Sequence, residues 1–244
     1  MTLLRDHELT AAFDHAAPSY DRLTAVNPGY RSELNRSARR LDLPHRGAGL
    51  RVLDLGCGTG SSTRALLRAA PYARITAADA SAGMLERALS KRWPDNVRFL
   101  HRTAEELMAP DGDGPYDAVL AAYLFRNVTD PDAVLSSVRT LLRPGGRLAV
   151  HEYCLSGSAF HSALWNALCR GVIRPAGTLT GDRDLYHHLW RSVLAFDRAP
   201  AFASRLSGAG FTTVRTLPVA GWQTGVVHTF LAENGSRSEQ AAGR

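Results

Sequence analysis

The sequence is poor in cysteine and contains no long apolar run. Its 244 residues include three cysteines, Cys57, Cys154 and Cys169, and no pair of them has the close spacing of a zinc or redox motif. An odd number of separated thiols is typical of a reducing compartment. No apolar run approaches the ~20 residues that cross a bilayer. We therefore expect neither a disulfide-stapled scaffold nor a membrane-spanning helix.

The N-terminal segment lacks the pattern of a secretory signal. Asp6, His7 and Glu8 stand where a signal peptide carries its apolar stretch. This arrangement predicts a cytoplasmic protein.

The chain carries a modest positive charge. It has 29 Lys and Arg against 23 Asp and Glu, a formal net charge of +6, and 45% of its residues are hydrophobic. Such apolar content excludes a disordered chain. A basic balance can favour phosphate backbones or anionic membrane surfaces, but aromatic residues do not interleave with the arginines as in a single-strand binder. We expect no nucleic-acid partner, and a basic solvated surface is favoured over a binding patch.

From residue 50 onward, short apolar strands alternate with helical segments. Such alternation predicts parallel strand pairing with right-handed crossovers. We predict an α/β fold: a doubly wound, Rossmann-like, seven-stranded and mostly parallel sheet with helices on both faces and a helical lid. The predicted strands are 50–55, 73–78, 97–101, 116–121, 147–153, 211–217 and 226–232. Ligands of such sheets bind outside the carboxyl ends of the strands.

The remaining segments suggest a cap, a lid and a tail. Residues 1–49 form an N-terminal helical cap, and the sheet domain spans 50–233. A helical insertion at 155–209 interrupts the strand alternation, either as a lid over the site or as packing against the sheet edge. Residues 234–244 resemble a disordered tail in composition.

A glycine-rich turn follows the first predicted strand and opens a helix. Gly56, Gly58 and Gly60 permit a tight turn and a close approach of ligand to backbone. Asp79 ends the second strand, where an acid accepts hydrogen bonds from ribose hydroxyls. A dinucleotide site would prefer glycine or alanine at position 61, where this chain has Ser61. A dehydrogenase is therefore disfavoured.

Three motifs resemble those of class I S-adenosylmethionine-dependent methyltransferases. They are VLDLGCGTG at 52–60, ADASAGML at 78–85 and LLRPGGRL at 141–148. Further segments resemble the ubiquinone/menaquinone biosynthesis C-methyltransferase family: AFD at 12–14, SYD at 19–21, FRNVTD at 125–130, YHHLWRSV at 186–193 and AGF at 209–211. The resemblance covers residues 10 to 233. It implies S-adenosyl-L-methionine as cofactor and methyl transfer to a carbon of a quinol or related aromatic ring.

The resemblance also implies where the cofactor binds. Threonine stands at 103, where the family usually carries an acid that meets the adenine amino group. The ring of Tyr20 can face the cationic sulfonium through cation–π attraction. The expected cofactor-binding residues are Tyr20, Asp54, Gly56, Gly58, Gly60, Asp79, Ala80, Met84, Thr103, Ala104, Glu105 and Ala121.

The acceptor needs a group that activates its ring carbon. The resemblance places Arg126 and Asn127 beside the quinol, and because arginine is a poor base, we expect Arg126 to stabilise the developing phenolate. Tyr186 and either His187 or His188 are further candidates from the lid. The end of the fifth strand adds His151 and Glu152, which can face the pocket. No metal is expected.

Several alternatives stay open at this point. The segment 23–30 departs from the family pattern and would border the acceptor pocket. O-, N- or C-methylation of a specialised metabolite is therefore one alternative, and a non-methylating protein that binds S-adenosylmethionine is another. Peripheral membrane contact and a homodimer are left open as well.

Overall fold

A computed structural model describes residues 3–4, 6–25, 27–107 and 115–235. Within them, seven strands form one sheet in the order β3-β2-β1-β4-β5-β7-β6. The strands are β1 (Arg51–Leu55), β2 (Arg74–Asp79), β3 (Val97–His101), β4 (Tyr116–Ala122), β5 (Leu142–Tyr153), β6 (Phe211–Pro218) and β7 (Val227–Asn234). Strands β1 to β5 pair in parallel, and β7 runs antiparallel to both β5 and β6. The predicted seven-stranded, mostly parallel sheet is confirmed.

Helices cover both faces of this sheet, as predicted. They are α1 (Asp6–Ala25), α2 (Tyr30–Arg40), α3 (Ser61–Ala69), α4 (Ala82–Leu89), α5 (Pro131–Leu141), α6 (Ala159–Leu168), α7 (Arg174–Thr180), α8 (Arg183–Ala195) and α9 (Ala199–Gly208). Leu34 of α2 and Leu66 of α3 belong to one buried apolar cluster. Leu135 of α5 and Phe202 of α9 belong to the other. Burial of these two apolar layers is the main stabilising contribution to such a fold.

Strand β5 begins earlier than the sequence pattern predicts. Leu142 already pairs with Tyr116, and the next pair joins Arg147 to Ala118. The residues between Leu142 and Arg147 form a bulge, in which Gly145 has a φ of +72°. Proline and glycine suit such a bulge because it interrupts the ladder of hydrogen bonds.

The predicted insertion at 155–209 divides into two parts. The ring of Phe202 in α9 packs 4.9 Å from that of Phe230 in the sheet, so α9 is one of the sheet-covering helices. Trp165 of α6 packs against Tyr153 at the end of β5, with 5.3 Å between ring centroids. The α6–α8 segment therefore lies beside the carboxyl end of β5, and its action as a lid stays a prediction.

The chain ends and the cysteines complete the description. Asn234, the first residue of the predicted tail, closes β7, and 236–244 lie outside the described residues. The thiols of Cys57, Cys154 and Cys169 are free and buried. Within the described ranges, every helix is too short or too polar to cross a bilayer.

Candidate active site

A cavity of about 620 Å³ opens at the carboxyl ends of the parallel strands. Its walls come from the segments that follow β1, β2, β3 and β4, and from α1 and the start of α2. Of the predicted site residues, the following line it: Tyr20, Gly56, Gly58, Asp79, Ala80, Met84, Thr103, Ala104, Glu105, Arg126 and Asn127. These predicted residues therefore share one cavity, and their roles in binding and catalysis stay predictions.

The turn after β1 is anchored to the neighbouring strand. The backbone N–H groups of Gly56 and Cys57 both donate to the carbonyl oxygen of Ala78, over 2.8 and 3.0 Å. A side chain on Gly58, whose φ is +54°, would meet no atom within 4 Å. The space above Gly58 is thus open for a ligand that approaches the backbone.

Gly60 serves packing rather than the cavity wall. Its φ is +90°, and a Cβ there would lie 2.6 Å from the ring of Trp93. Trp93 in turn donates its indole N–H to Ala88 of α4. Gly60 therefore lets α3 begin beneath an aromatic ring, and its contact with the cofactor stays a prediction.

Asp79 is held in a fixed orientation at the end of β2. Its Oδ2 accepts from the backbone N–H of Gly58 over 2.7 Å, and its Oδ1 accepts from that of Ser81 over 2.9 Å. Burial raises the pKa of this carboxyl, and the two N–H donors oppose that rise. A carboxylate can accept about four hydrogen bonds, so both oxygens keep capacity for a diol in the cavity.

Asp54 lies beneath the glycine turn and is fully buried. Its Oδ2 accepts from the hydroxyls of Ser62 and Thr63, over 2.8 and 2.6 Å, whereas Oδ1 has no hydrogen-bond partner among the described residues. Burial raises the pKa of Asp54 to about 7. Asp54 ties β1 to the start of α3, outside the cavity lining. Ala121 is likewise buried in the core beneath the lining residue Ala122.

The segment after β3 forms another wall of the cavity. Thr103 donates its backbone N–H to Glu106, whose own N–H donates to the Thr103 hydroxyl oxygen over 3.1 Å. This reciprocal pair has the hydrogen-bonding pattern of a capping box, but here it closes a turn and not a helix. The hydroxyl hydrogen of Thr103 remains as a donor, so threonine can meet a ring nitrogen where an acid would accept from an amino group.

Helix α1 is fastened across the cavity by two carboxylates. Asp14 Oδ1 accepts from the Ser81 hydroxyl over 2.5 Å and from the backbone N–H of Gly83 over 2.9 Å. Asp21 accepts from the Thr59 hydroxyl over 2.5 Å and pairs with Lys91 over 2.6 Å. Both carboxylates were missed as functional residues, although the AFD and SYD segments that carry them were noted. Their role depends on long-range contacts that a sequence pattern does not reveal.

Three tyrosines form one aromatic wall of the cavity. Tyr20 is hydrogen-bonded to Tyr30 through their side chains, and burial raises the pKa of both phenols. The rings of Tyr30 and Tyr123 are stacked, with 5.6 Å between centroids and an interplanar angle of 10°. Tyr123 adopts a positive φ of +59°, which is a strained conformation for a bulky residue. Strain of this kind is common at functional sites.

Arg126 forms a buried ion pair at the cavity wall. Its Nη1 donates to Glu152 Oε1 over 2.8 Å and to the carbonyl of Tyr123 over 2.7 Å. The side chain of Glu152 is 0% exposed and that of Arg126 is 8% exposed. Glu152 therefore lies behind Arg126 rather than facing the cavity. Among the described residues, the Nε–H of Arg126 has no hydrogen-bond partner.

Asn127 links the cavity to α8. Its Nδ2 donates to the Tyr123 carbonyl over 3.0 Å, and its Oδ1 lies 3.1 Å from Nε2 of His188. Because Oδ1 is an acceptor, this network assigns the imidazole proton to Nε2. Burial lowers the pKa of His188 to about 4. Of the two adjacent histidines His187 and His188, it is thus His188, in its neutral form, that contacts the cavity residue Asn127.

Tyr186 and His187 lie outside the lining residues that the structure describes. The Tyr186 ring packs over Gly177 of α7, and burial raises its pKa to about 12. The ring of His187 lies 5.8 Å from that of Trp190 on the same helix. The catalytic role of these two residues stays a prediction.

His151 is fully buried behind the aromatic wall. Its Nε2 lies 3.0 Å from the Tyr123 hydroxyl, and its Nδ1 lies 2.9 Å from the Ser37 hydroxyl and 3.1 Å from that of Thr229. Burial lowers the pKa of His151 to about 3, so the imidazole is neutral at pH 7. His151 therefore orients the Tyr123 phenol instead of facing the pocket.

Comparisons with known proteins agree with this site. The model of the ubiE/COQ5 methyltransferase family matches residues 1–232. A demethylmenaquinone methyltransferase of Thermus thermophilus is 33% identical over 205 residues, which cover 82% of this chain and 91% of that relative. A demethylmenaquinone methyltransferase of Mycolicibacterium paratuberculosis is 32% identical, over 85% of this chain and 87% of that relative.

The fold also matches solved methyltransferase structures. The 1,6-didemethyltoxoflavin-N1-methyltransferase of Burkholderia thailandensis, solved with bound 1,6-didemethyltoxoflavin and S-adenosylhomocysteine, has a TM-score of 0.61 at 20% identity. The match covers 97% of this chain and 93% of that one. The expected family and cofactor are thereby confirmed. The chain belongs to the ubiE/COQ5 methyltransferase family and is an S-adenosylmethionine-dependent methyltransferase.

Proposed function

We propose that this enzyme methylates a ring carbon of a quinol, the reduced form of a demethylated quinone such as demethylmenaquinone. The observation that carries the proposal is the buried Arg126–Glu152 pair in the wall of the cavity that the glycine turn and Asp79 also line. The volume of this cavity, about 620 Å³, lies within the range of small-molecule sites. The names of the relatives support the choice of acceptor.

The residues of the cavity fit S-adenosylmethionine. Asp79 offers oriented carboxylate oxygens to the ribose diol, and the open backbone at Gly58 admits the body of the cofactor. Thr103 and Met84 line the side on which an adenine would lie. The face of Tyr20 is a cation–π partner for a cationic group. When bound, S-adenosylmethionine supplies an electrophilic methyl group whose leaving group is a neutral thioether.

Arg126 acts on the charge that develops on the acceptor. When a quinol hydroxyl loses its proton, negative charge spreads to the ring carbon beside it, and that carbon becomes the nucleophile. Arg126 has N–H donors left for the phenolate oxygen, because Glu152 and Tyr123 occupy only its Nη1. Hydrogen-bond donors that are already held in place stabilise a developing charge more than donors that must first reorganise. The ring carbon gains the methyl group and then loses its hydrogen as a proton, which restores the aromatic ring.

Asn127 and His188 position the acceptor from the side of α8. Neutral His188 holds the Asn127 amide through Nε2, and the amide keeps one N–H donor for a second quinol oxygen. Tyr186 and His187 are retained as lid residues that come closer to the acceptor when it binds. Water bound at Arg126 is the expected acceptor of the hydroxyl proton, since arginine itself does not deprotonate.

The direct test is the site of methylation. The enzyme is incubated with methyl-labelled S-adenosylmethionine and chemically reduced demethylmenaquinone, and the product is analysed by mass spectrometry after reoxidation. A C-methylated product returns to the quinone with the label on its ring, whereas an O-methylated product does not reoxidise. Label on oxygen, or label only on another compound when a cell extract is supplied, would support methylation of a specialised metabolite instead. Bound cofactor without any S-adenosylhomocysteine formation would support a non-methylating protein.

A further inference from the structure

The phenol of Tyr123 is held by three aromatic neighbours at the end of β4. Its ring stacks on that of Tyr30, and its centroid lies 4.9 Å from the ring of Tyr153 and 5.0 Å from that of His151. Its backbone N–H donates to the carbonyl of His151 over 2.7 Å. Because Tyr123 lines the cavity, this packing fixes one phenol at the cavity wall.

Behind this phenol, four polar side chains form one hydrogen-bond network. The Tyr123 hydroxyl lies 3.0 Å from Nε2 of His151. On the other side of the imidazole, Nδ1 lies 2.9 Å from the Ser37 hydroxyl and 3.1 Å from that of Thr229, and these two hydroxyl oxygens are 2.9 Å apart. His151, Ser37 and Thr229 are all 0% exposed. Their polar atoms therefore depend on one another for hydrogen bonds.

The two hydroxyls decide which nitrogen of His151 carries the proton. A neutral imidazole has one N–H, at either Nδ1 or Nε2. With the proton on Nδ1, one hydroxyl of Ser37 and Thr229 donates to the other, and the second hydroxyl hydrogen finds no acceptor in the described part of the chain. With the proton on Nε2, one hydroxyl donates to Nδ1 and the other donates to that hydroxyl. An unsatisfied polar group in the core is costly, so the network assigns the proton to Nε2.

The tautomer of His151 determines what the Tyr123 hydroxyl offers to the cavity. Because Nε2–H donates to the Tyr123 oxygen, the phenolic hydrogen is left for a partner on the cavity side. Burial, and to a smaller extent the nearby phenols of Tyr153 and Tyr30, raise the pKa of Tyr123 well above its ordinary value. The hydroxyl therefore keeps its hydrogen and acts as a donor. In a chain of hydrogen bonds each bond polarises the next, which strengthens this donor.

Arg126 lies beside the same phenol. Its guanidinium carbon is 5.9 Å from the centroid of the Tyr123 ring, and its Nη1 donates to the Tyr123 carbonyl. Both side chains line the cavity. A cationic donor and a neutral donor thus border one part of the cavity.

We propose that Tyr123 is a second hydrogen-bond donor to the oxygen of the methyl acceptor that becomes a phenolate, and that His151 is the positioning residue that directs the Tyr123 hydrogen toward it. The inference rests on the proposed function, because it takes the methyl acceptor to be a phenol or quinol. Tyr123 transfers no proton, since its O–H bond stays intact while the hydrogen bond strengthens. Together, Tyr123 and Arg126 share the developing negative charge, as the donors of an oxyanion hole do.

The first test measures binding and does not depend on turnover. The probe is para-nitrophenol with S-adenosylhomocysteine present, because this phenol is neutral at low pH and a coloured phenolate at high pH. Tyr123→Phe should lose about tenfold or more in affinity for the phenolate and much less for the neutral phenol. Thermal melting and the Kd for S-adenosylmethionine check that the variant is folded.

Tyr153→Phe is the matched control for this test. It removes a hydroxyl from a neighbouring ring, but that hydroxyl accepts from Asn27, and Tyr153 lies outside the described lining of the cavity. Its affinity for the phenolate should change by less than about threefold.

The second test addresses His151. Nitrogen NMR of histidine-labelled protein should show the Nε2–H tautomer, in a signal that is identified by its loss in His151→Gln. The glutamine amide restores a donor near the position of Nε2, whereas leucine does not. Phenolate affinity should therefore fall about tenfold in His151→Leu and clearly less in His151→Gln.

Two results of the binding test would overturn the role of Tyr123: equal phenolate affinity in the wild type and Tyr123→Phe, or the same loss in Tyr153→Phe. A His151 signal with the proton on Nδ1 would overturn the role of His151. The proposed function fails separately, if no label enters the ring of reduced demethylmenaquinone. The phenolate affinities of the variants decide the role of Tyr123 whatever the methylated product is.

Discussion

The Nη1 atom of Arg126 lies 2.8 Å from Oε1 of Glu152, and the carboxylate is completely buried behind the cavity wall. Burial raises the pKa of Glu152, and the guanidinium opposes that rise. Each of two buried opposite charges stabilises the other, because burying either one alone carries a large desolvation cost. The pair therefore holds a cationic hydrogen-bond donor at the cavity wall at little net charge.

Replacing Arg126 by alanine should impair turnover and spare cofactor binding. The variant loses the donor that stabilises the phenolate, so we expect kcat to fall by about 10²- to 10³-fold. The Kd for S-adenosylmethionine, measured by calorimetry, should change by less than about threefold, because Arg126 acts on the acceptor side. Arg126→Lys is the comparison, since it restores charge without the planar fork. Normal turnover of Arg126→Ala with the true acceptor would remove Arg126 from the chemistry.

Replacing Glu152 by glutamine should affect stability as well as turnover. The amide keeps a hydrogen-bond acceptor but leaves the guanidinium without a counter-charge, which costs about 3–5 kcal/mol for a buried pair. Urea unfolding measures this loss. Because Glu152 positions Arg126, kcat should fall while the KM for S-adenosylmethionine stays constant.

The control for Glu152→Gln is Asp132→Asn, since Asp132 pairs with Arg205 while 68% exposed. An exposed pair contributes at most about 1 kcal/mol. Equal stability losses in the two variants would contradict the importance of burial at Glu152.

Asp79→Asn should weaken cofactor binding. The amide keeps one acceptor oxygen, but one of the N–H donors of Gly58 and Ser81 then faces an NH₂ group. Hydrogen bonds to a charged acceptor contribute about 1.5–3 kcal/mol, so we expect a loss of affinity of at least tenfold. Asp42→Asn is the matched control, since the Asp42 side chain is 92% exposed and lies outside the cavity lining. Unchanged affinity of Asp79→Asn in calorimetry would refute the assignment to the ribose.

Asp14→Ala should loosen α1 over the cavity. The variant removes the acceptor for Ser81 and Gly83, so α1 loses one of its two attachments to the cofactor loops. Hydrogen exchange of residues 6–25 should become faster, and the affinity for S-adenosylmethionine should fall on the order of fivefold. Glu8→Ala, at an exposed position of the same helix, is the control. Unaltered exchange in Asp14→Ala would show that other contacts hold α1.

The sheet and the floor of the cavity could be predicted from the sequence because both depend on local patterns. The end of β2 at Asp79 and the turn from Gly56 to Gly60 are encoded within a few residues. The role of Asp14 and the position of Glu152 behind Arg126 could not be predicted in this way. These contacts join residues 67 and 26 positions apart in the chain. Which side of a strand end faces the cavity is decided by packing across the sheet.

The role of Gly60 illustrates the same limit. A glycine motif predicts a turn with a positive φ, and all three glycines of the turn have one. The pattern cannot tell that the space at Gly60 is filled by Trp93, whereas the space at Gly58 is open. The two glycines serve different purposes because of a residue that lies 33 positions further along the chain than Gly60.

The buried carboxyl of Asp54 should make stability depend on pH. Its pKa is about 7 in the folded protein against 3.8 for the exposed group, so the folded state binds this proton more tightly than the unfolded state does. The contribution of protonated Asp54 to the free energy of unfolding is therefore fully present below about pH 4. It is lost as the pH rises toward 7, by up to about 1.4 kcal/mol per pH unit. Histidines such as His151, whose pKa is lowered to about 3, change the stability in the opposite direction, so the pH dependence of the wild type alone does not report on Asp54. The contribution of Asp54 is obtained from the difference in unfolding free energy between the wild type and Asp54→Asn, measured by urea titration from pH 4 to pH 7. We expect Asp54→Asn to gain stability relative to the wild type as the pH rises, and a difference that is independent of pH would contradict the raised pKa.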